Sequence, residues 1–342
     1  MSHLIHLKTH KRHLENRFAI IRTIREFFWT EKFVEVETPN ILAFPGQEPY
    51  LTPVKVTVRN ERGVAFEGYL HTSPEYTMKK MLAAGFGDIY SISKVYRNEE
   101  SFGGAHNPEF TMLEWYRVGK GMEALMDDME RLFLSMKKTY SSDQLPFFRT
   151  ISDEAVFERH SMKDIWKTYV GVNLDEYLTD DAMKKLCAKK GYRPGESERY
   201  EDLFYRIFLN EIEPKLIDPT IIYHYPAEMA ALARLSSADP RYAERFEVYV
   251  GGLELANAFA ELTDRDEQYR RLEDERTLRK QLGKDVYDID SEFVGAVGAM
   301  PDSAGIALGI DRLVQVLSGA EDIDDVLPLP MSQLFGTKNS PE

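Results

Sequence analysis

The chain has 342 residues, of which 43% are hydrophobic and 29% charged, and its formal net charge is −14. This length and apolar fraction suffice for one large or two ordinary domains with a buried core. An acidic surface repels phosphate backbones, so the composition disfavours broad nucleic-acid binding. The single cysteine, Cys187, excludes an intrachain disulfide and a thiolate zinc site.

The sequence predicts a cytoplasmic protein that does not contact a membrane. It has no run of about 18 apolar residues, which a membrane-spanning helix requires. The start, MSHLIHLKTHKRHLEN, lacks the apolar core of a signal peptide. Its histidines at positions 3, 6, 10 and 13 would share one helical face. Because no carboxylate or thiolate supports them there, we expect a surface N-terminus and not a metal site.

The first elements alternate between helix and strand. Apolar residues at positions 18, 21, 24 and 28 recur at helical spacing and predict a helix from Leu14 to Glu31. FVEVETP predicts a short strand that ends at Pro39, and a second strand is expected over 54–58. Ser73 is expected to cap a helix that starts at Pro74 and runs to about residue 85. Glu75, in its first turn, either complements the helix dipole or binds a ligand.

Two β-prone runs, Ile89 to Tyr96 and a second from Phe110, predict a strand pair around a polar loop. On the second strand, positions 110, 112, 114 and 116 share one face. Large apolar residues occupy both faces, so we expect Glu114 to be partly buried. A buried carboxylate needs a partner, and a cationic ligand is one. The alternative is a solvated surface hairpin that carries these charges.

The middle of the chain is predicted to be mainly helical. Met122 to Tyr140 has a helical pattern, and Ile151 to Leu216 is mostly helical with a break at 191–196. We interpret about 151–222 as a helical insertion in a single catalytic domain that spans 1–342.

Gly251-Gly252 between two β-prone runs predicts a hairpin with a two-residue turn. In that register Glu247 and Glu254 are diagonal neighbours on one face. Two carboxylates on one face without a basic partner suggest a hard cation such as Mg²⁺. An exposed acidic hairpin is the alternative.

Near the C-terminus, a small-residue strand from Gly305 to Gly309 leads into a helix that begins near Asp311. Glycines let a ligand approach the backbone. Arg312 at the helix start suits a phosphate tail, since its planar charge adds to the favourable helix dipole. The alternative is close strand–helix packing with a surface arginine.

Three segments resemble class II aminoacyl-tRNA synthetases of the lysyl type. Arg97-Asn98-Glu99 followed by HNPEFTMLEWY resembles motif 2, the helix–strand–proline segment resembles motif 1, and GIALGIDRL resembles motif 3. The resemblance extends from about Leu14 to Ala320. It implies an α+β fold, with an antiparallel sheet flanked by helices, and a homodimer formed through motif 1.

The resemblance also implies ATP, Mg²⁺ and a lysine-type amino acid as ligands. The residues implied for ATP are Arg97, Asn98, Glu99, Asn107, Phe110, Glu254, Leu255, Gly309 and Arg312. Those implied for the amino acid are Ser73, Pro74, Glu75, Glu114, Tyr116, Asn257, Glu261 and Ala307. Glu247 and Glu254 are implied as Mg²⁺ ligands. Arg97 and Arg312 take the catalytic roles, at the α-phosphate and at the far phosphates.

One part of this set conflicts with simple strand geometry. Strict alternation would place Asn257 and Glu261 on the opposite face from Glu254. We therefore expect a bulge between Glu254 and Asn257. The family has Gly after this Asn, whereas this chain has Ala258, so the local backbone is expected to differ.

Within the family, the chain resembles the stand-alone ligases that activate (R)-β-lysine and transfer it to a lysine of elongation factor P. Few residues precede the first predicted helix, so we expect no anticodon-reading OB-fold domain, and tRNA is disfavoured. Ala307, where lysyl-tRNA synthetases have Gly, is shared with these ligases. The loop from Ser101 to Ala105 is longer than theirs. The alternatives are a lysyl-adenylating enzyme with another acceptor, tRNA or a small metabolite, and a non-enzymatic paralogue that binds amino acid or nucleotide.

Overall fold

The structure is a computed structural model that describes residues 2–151, 157–196 and 198–336. The strands are β1 (Val34–Glu35), β2 (Ile41–Leu42), β3 (Val54–Arg59), β4 (Ala65–Leu70), β5 (Ile89–Tyr96), β6 (Glu109–Val118), β7 (Glu158–Ser161), β8 (Thr220–Pro226), β9 (Tyr242–Val250), β10 (Leu253–Ala260) and β11 (Ser303–Gly309). The helices are α1 (His3–Thr9), α2 (Lys11–Thr30), α3 (Glu75–Ala83), α4 (Met122–Thr139), α5 (Met162–Tyr169), α6 (Asp180–Lys189), α7 (Tyr200–Glu211), α8 (Arg265–Gln281), α9 (Ser291–Val297), α10 (Ile310–Ser318) and α11 (Met331–Phe335).

An eight-stranded sheet in the order β1-β5-β6-β11-β10-β9-β8-β7 forms the centre of the molecule. Its inner neighbours are antiparallel, and the two edge pairs, β1 with β5 and β7 with β8, are parallel. A smaller sheet has the order β2-β4-β3. The predicted antiparallel sheet flanked by helices is confirmed.

Helices α2, α4 and α10 cover one face of the large sheet and bury the main apolar core against it. Phe28 of α2 stacks on Tyr90 of β5, with ring centroids 4.6 Å apart, and its centroid lies 5.3 Å from that of Trp115 of β6. Burial of each such side chain contributes roughly 1.5–3 kcal/mol. The opposite face of β6, β10 and β11 remains available for a cavity.

One local prediction was wrong and another was incomplete. Helix α3 begins at Glu75 with Pro74 as its N-cap, and within the described chain no side chain caps it, so Ser73 is not the cap. The segment predicted as mostly helical also contains β7, which pairs with β8 at the sheet edge. An edge strand pairs on one side only, and β7 is the polar run Glu-Arg-His-Ser, so it carries no apolar alternation.

The predicted bulge in the β9–β10 hairpin is confirmed. Gly251 and Gly252 adopt φ values of 63° and 76°, as a tight primed turn requires. The register then shifts between Glu254 and Ala256, which brings Asn257 directly opposite Glu247. The extra residue therefore turns Asn257 towards the same side as Glu254.

Among the residues that the structure describes, no helix is long and apolar enough to cross a membrane.

Candidate active site

A cavity of about 500 Å³ lies on the open face of β6, β10 and β11, walled by the start of α3 and by the loop between β5 and β6. Most of the residues predicted for a site line it. They are Ser73, Glu75, Arg97, Asn107, Phe110, Glu114, Tyr116, Glu247, Glu254, Leu255, Asn257, Glu261, Ala307, Gly309 and Arg312. The motif 2 and motif 3 segments, the start of α3 and the β9–β10 hairpin thus meet in one cavity, which the motif 1 segment does not line.

Three predicted residues, Pro74, Asn98 and Glu99, are not among the residues that line this cavity. The backbone of Glu99 is left-handed, with φ 64°, and its carboxylate accepts a 2.7 Å hydrogen bond from Thr52 Oγ1. The chain turns there, so Glu100 faces the cavity in place of Glu99. A single left-handed non-glycine residue leaves no sequence signal, and the assignment to Glu99 was made by motif position alone.

One end of the cavity contains two arginines, Arg97 and Arg312, together with the carboxylates of Glu100 and Glu254. The guanidinium of Arg97 lies over the ring of Phe110, 5.1 Å from its centroid. Its Nε is buried and meets no acceptor in the described part of the chain. Burial lowers the pKa of Arg97, against the raising effect of Glu100 and Glu48. An arginine remains charged even so, and Arg97 lines the cavity, where its charge favours an anionic ligand.

Arg312, in the first turn of α10, is held by three acceptors. Nε donates to the carbonyl of Ala105 at 3.1 Å, and Nη1 donates to the carbonyl of Glu254 at 2.9 Å. Nη2 lies 3.0 Å from Nε2 of His106. Burial and the charge of Arg312 lower the pKa of His106, so a neutral imidazole accepts this bond. The guanidinium is thereby aimed into the cavity by the loop and by the β9–β10 hairpin.

Asn107 has both ends of its amide engaged by the protein. Nδ2 donates to the carbonyl of Glu109 at 2.6 Å, and Oδ1 accepts from the backbone N–H of Met331 at 2.9 Å. It joins the loop after β5 to helix α11, and it lines the cavity as part of that support.

The opposite end of the cavity is anionic. Glu114 accepts a 2.5 Å hydrogen bond from the hydroxyl of Tyr116 on one oxygen. Its other oxygen is buried without a hydrogen-bond partner among the described residues. Burial, and then the charge of Glu75, raise the pKa of Glu114 well above its usual value. A cation placed here would satisfy the free oxygen and restore the ionised form.

Sequence reasoning missed a buried lysine in this end. Nζ of Lys79 lies 2.6 Å from Glu75 Oε1 and 2.7 Å from Glu261 Oε2. Burial raises the pKa of Glu261 to about 7, although Lys79 opposes that rise. The spacing of four residues between Glu75 and Lys79 on α3 was the available signal.

The proposed metal ligands differ in their surroundings. Glu247 accepts hydrogen bonds from Arg245, Tyr225 and Tyr249, each at 2.5 Å. The expectation that this hairpin lacks a basic partner was therefore wrong, because Arg245 lies two residues before Glu247 on β9. Arg245 is part of the sequence segment from which the hairpin was predicted, so this basic partner could have been found there.

Glu254, by contrast, has 39% of its side chain exposed to the cavity. Burial and the charge of Glu247 raise the pKa of Glu254 to about 7, although Arg312, whose Nη1 lies 3.8 Å from this carboxylate, opposes the rise. Across the described residues, no group of three or more His, Cys, Asp or Glu is arranged for a metal. Two carboxylates suit Mg²⁺ only when phosphate oxygens and water complete its shell. The donor set fits a metal that arrives with a nucleotide.

Comparison with known proteins agrees with this arrangement. A protein-family model described as tRNA synthetases class II (D, K and N) matches residues 3–333. The elongation factor P--(R)-beta-lysine ligase of Yersinia enterocolitica is 39% identical over 329 residues, which cover 94% of this chain and 95% of that protein. Ligases of the same name from Histophilus somni and Vibrio cholerae are each 39% identical, over 91% and 93% of this chain and over 92% and 94% of their own. The chain therefore belongs to the class II tRNA synthetase family of the D, K and N type, and within it is similar to the elongation factor P–(R)-β-lysine ligases.

Proposed function

We propose that this protein is an ATP-dependent ligase that activates a lysine-type amino acid, (R)-β-lysine, as its adenylate and transfers it to a lysine side chain of elongation factor P. The observation that carries the proposal is the division of one cavity into two charged ends. Arg97 and Arg312 line one end, and Glu75, Glu114 and Glu261 line the other. A nucleoside triphosphate and a diamino acid have the complementary charges.

The first step joins two anions. One carboxylate oxygen of the amino acid bonds to the α-phosphorus of ATP, the bond from that phosphorus to the β-phosphate oxygen breaks, and pyrophosphate leaves. A carboxylate is already a nucleophile and needs no general base, so catalysis consists of positioning and charge stabilisation. We assign Arg97 to the α-phosphate and the substrate carboxylate, because its donors are free. We assign Arg312, held by its three acceptors, to the far phosphates.

The second step transfers the activated acyl group. The acceptor amine nitrogen bonds to the carbonyl carbon of the adenylate, the carbon–oxygen bond to the phosphate breaks, and AMP leaves while the amine loses a proton. In this assignment Phe110 stacks on adenine, next to Arg97. Gly309 and Leu255 complete the nucleotide side of the cavity.

The amino acid occupies the anionic end. We assign Glu75 to the amino group near the reacting carboxylate, with Ser73 beside it, and Glu114, Tyr116 and Glu261 to the distal ammonium. Asn257 and Ala307 border the chain between them. A neutral substrate side chain would leave the buried Oε2 of Glu114 without a partner, so this end of the cavity selects against it.

Mg²⁺ is proposed as the cofactor, held by Glu254 and by the remaining lone pair of Glu247 Oε1. When bound with the nucleotide it neutralises phosphate charge. Arg245, Tyr225 and Tyr249 hold Glu247 in place through hydrogen bonds.

The remaining proposals concern organisation. We propose one catalytic domain with a helical insertion at about 151–222, because α5–α7 share a core with β8 and β9 of the main sheet. We propose a homodimer through α2 and β1, on which Trp29 and Val34 are 57% and 49% exposed. Elongation factor P is the proposed protein partner, and the cytoplasm, where that factor acts, is the proposed location.

Two measurements test the proposed function. ATP–pyrophosphate exchange should depend on a lysine-type amino acid and be abolished in Arg312→Ala. Lack of exchange with both lysine and (R)-β-lysine would remove the adenylation proposal. Incubation with ATP, (R)-β-lysine and purified elongation factor P should then raise the intact mass of that protein by one β-lysyl group. Acylation of tRNA or of a small metabolite in its place would favour the alternative acceptors.

A further inference from the structure

Lys79 connects two parts of the anionic end that come from distant parts of the sequence. Its side chain is 0% exposed, and its ammonium lies between Glu75, in the first turn of α3, and Glu261, just after β10. Both carboxylates line the cavity, whereas Lys79 lies behind them and does not. The lysine thus forms a fixed link between the wall at α3 and the wall at the sheet.

The anchoring of α3 does not explain this buried charge. Tyr76 stacks on Phe293 of α9, with ring centroids 3.7 Å apart, and Lys80 pairs with Asp290 at 2.6 Å. These two contacts already attach the helix to α9. Burying an ammonium is costly unless it is fully paired, and an apolar residue at this position would avoid that cost. The pairing with two cavity carboxylates indicates a role in the site.

Lys79 is charged in spite of its burial. Burial disfavours the ammonium, but Glu261 and Glu75 together hold the pKa of Lys79 above its usual value. With Lys79 present, the three carboxylates of this end carry at most two uncompensated negative charges. Two charges match the two ammonium groups of a diamino acid.

We propose that Lys79 is a positioning residue that sets the distance between the two amino-group subsites and so selects the length of the diamino acid. This inference rests on the proposed function, in which Glu75 receives the amino group near the carboxylate and Glu261 helps to receive the distal one. Because one rigid ion-pair bridge joins Glu75 to Glu261, the span between the subsites is held constant. Without the bridge, the two carboxylates repel each other and are free to separate.

The test compares Lys79→Met, which keeps the volume but loses the charge, with Lys79→Arg, which keeps the charge but lengthens the link. Lys80→Met is the matched control, since Lys80 is the next residue of the same helix, is 37% exposed and pairs with a carboxylate outside the cavity. Amino-acid-dependent ATP–pyrophosphate exchange gives kcat and both KM values for lysine, β-lysine and ornithine. Thermal melting shows whether each variant is folded.

We expect Lys79→Met to raise KM for the preferred amino acid at least 30-fold with KM for ATP changed less than threefold. Its preference for the lysine-length substrate over ornithine should fall at least tenfold. Lys79→Arg should retain part of the affinity but shift the length preference, and Lys80→Met should match the parent enzyme in all three quantities.

An unchanged amino-acid KM and an unchanged length preference in folded Lys79→Met would overturn the proposal, and so would an equal loss of ATP affinity. If Lys79→Met is not recovered folded, Lys79→Arg decides by the same two criteria. Failure of the proposed function is separate, because the unaltered enzyme would then support no exchange with any of these amino acids.

Discussion

Arg312 and His106 are 206 residues apart in the sequence, and their side chains meet across 3.0 Å at the end of the cavity that Arg97 also lines. The histidine is held neutral by burial and by the arginine itself. It is the only side chain among the three acceptors of the guanidinium, since the other two are backbone carbonyls. Arg312 also lies 3.8 Å from the carboxylate of Glu254, so His106 is the side chain at which a substitution can loosen Arg312 without removing a proposed metal ligand.

His106→Ala should weaken nucleotide binding while leaving amino-acid binding nearly intact. A hydrogen bond to a charged group contributes roughly 1.5–3 kcal/mol, which corresponds to about 10- to 160-fold in affinity. We therefore expect KM for ATP in pyrophosphate exchange to rise about tenfold or more. His160→Ala, at the sheet edge, is the control. A change in amino-acid KM alone would contradict this role.

Gly305→Ala should destroy the amino-acid subsite. A Cβ at this position would lie 2.5 Å from Glu261 Oε1 and would overlap the ring of Tyr116. Both groups would have to move, so we expect amino-acid KM to rise at least tenfold with ATP affinity retained. Gly295→Ala in α9 is the matched control, because a Cβ there meets nothing within 4 Å. Normal amino-acid affinity in folded Gly305→Ala would show that the subsite lies elsewhere.

The affinity for the amino acid should depend on pH through Glu261. Its pKa is raised from 4.5 to about 7 by burial, so the proton competes with a substrate ammonium below that value. We expect amino-acid KM to increase as pH falls from 8 to 6, by at most about tenfold per pH unit for one proton. Because the pKa of Glu254 is also about 7, KM for ATP is expected to rise over the same range, and Glu261→Gln should remove the pH dependence of the amino-acid KM alone.

The raised pKa of Glu261 also makes the folding stability of the free protein depend on pH. A carboxyl whose folded pKa is raised stabilises the free protein below its unfolded pKa of 4.5, and this contribution is lost as pH rises through about 7. Addition of the amino acid should therefore raise Tm more at pH 8 than at pH 6. Glu261→Gln should abolish the difference, and its persistence in that variant would assign the titration to another group.

Ala307→Gly should change which isomer of lysine is used. On β11, Ala307 lies directly opposite Glu114 of β6 and Asn257 of β10, so its methyl group borders the amino-acid subsite. One methyl group in a tight site is worth roughly 1–3 kcal/mol of discrimination. We expect the α/β-lysine ratio of kcat/KM to rise about tenfold. Ala304→Gly, on the core face of the same strand, should lower stability and leave the ratio unchanged. An unchanged ratio in Ala307→Gly would remove this explanation of isomer choice.

Much of the fold could be predicted from the sequence, because helices and strands leave periodic patterns of apolar residues and turns leave glycines. The alternation on β6 predicted two covered faces and a buried Glu114, and the Gly-Gly turn predicted the register of β9 and β10. The bulge followed from a conflict, since Asn257 and Glu254 had to reach one site from a strand that would otherwise separate them. The first two inferences depend on near neighbours in the chain, and the third depends on the resemblance that assigned Asn257 to the site.

The predictions that were wrong or missing concern features that depend on contacts between distant segments or on single backbone angles. The left-handed φ of Glu99 exchanged the places of Glu99 and Glu100, and no pattern in the sequence marks it. The ion pair of Lys79 with Glu261 joins residues that are far apart in the chain. The pairing of Lys79 with Glu75 could be predicted from their helical spacing on α3. Only the folded sheet brings the carboxylate of Glu261 to the same ammonium.

The bulge after Glu254 also makes β10 unusually intolerant of changes in length. Downstream of it, Asn257 and Glu261 line the cavity while Ala258 and Ala260 pack into the core. Deleting one residue at this point would restore a regular ladder and exchange the two sides of the strand. Small apolar methyl groups would then face the substrates, and an amide and a carboxylate would be driven into the apolar interior. One extra residue thus keeps the cavity-facing and the core-facing residues of β10 on their respective sides of the sheet.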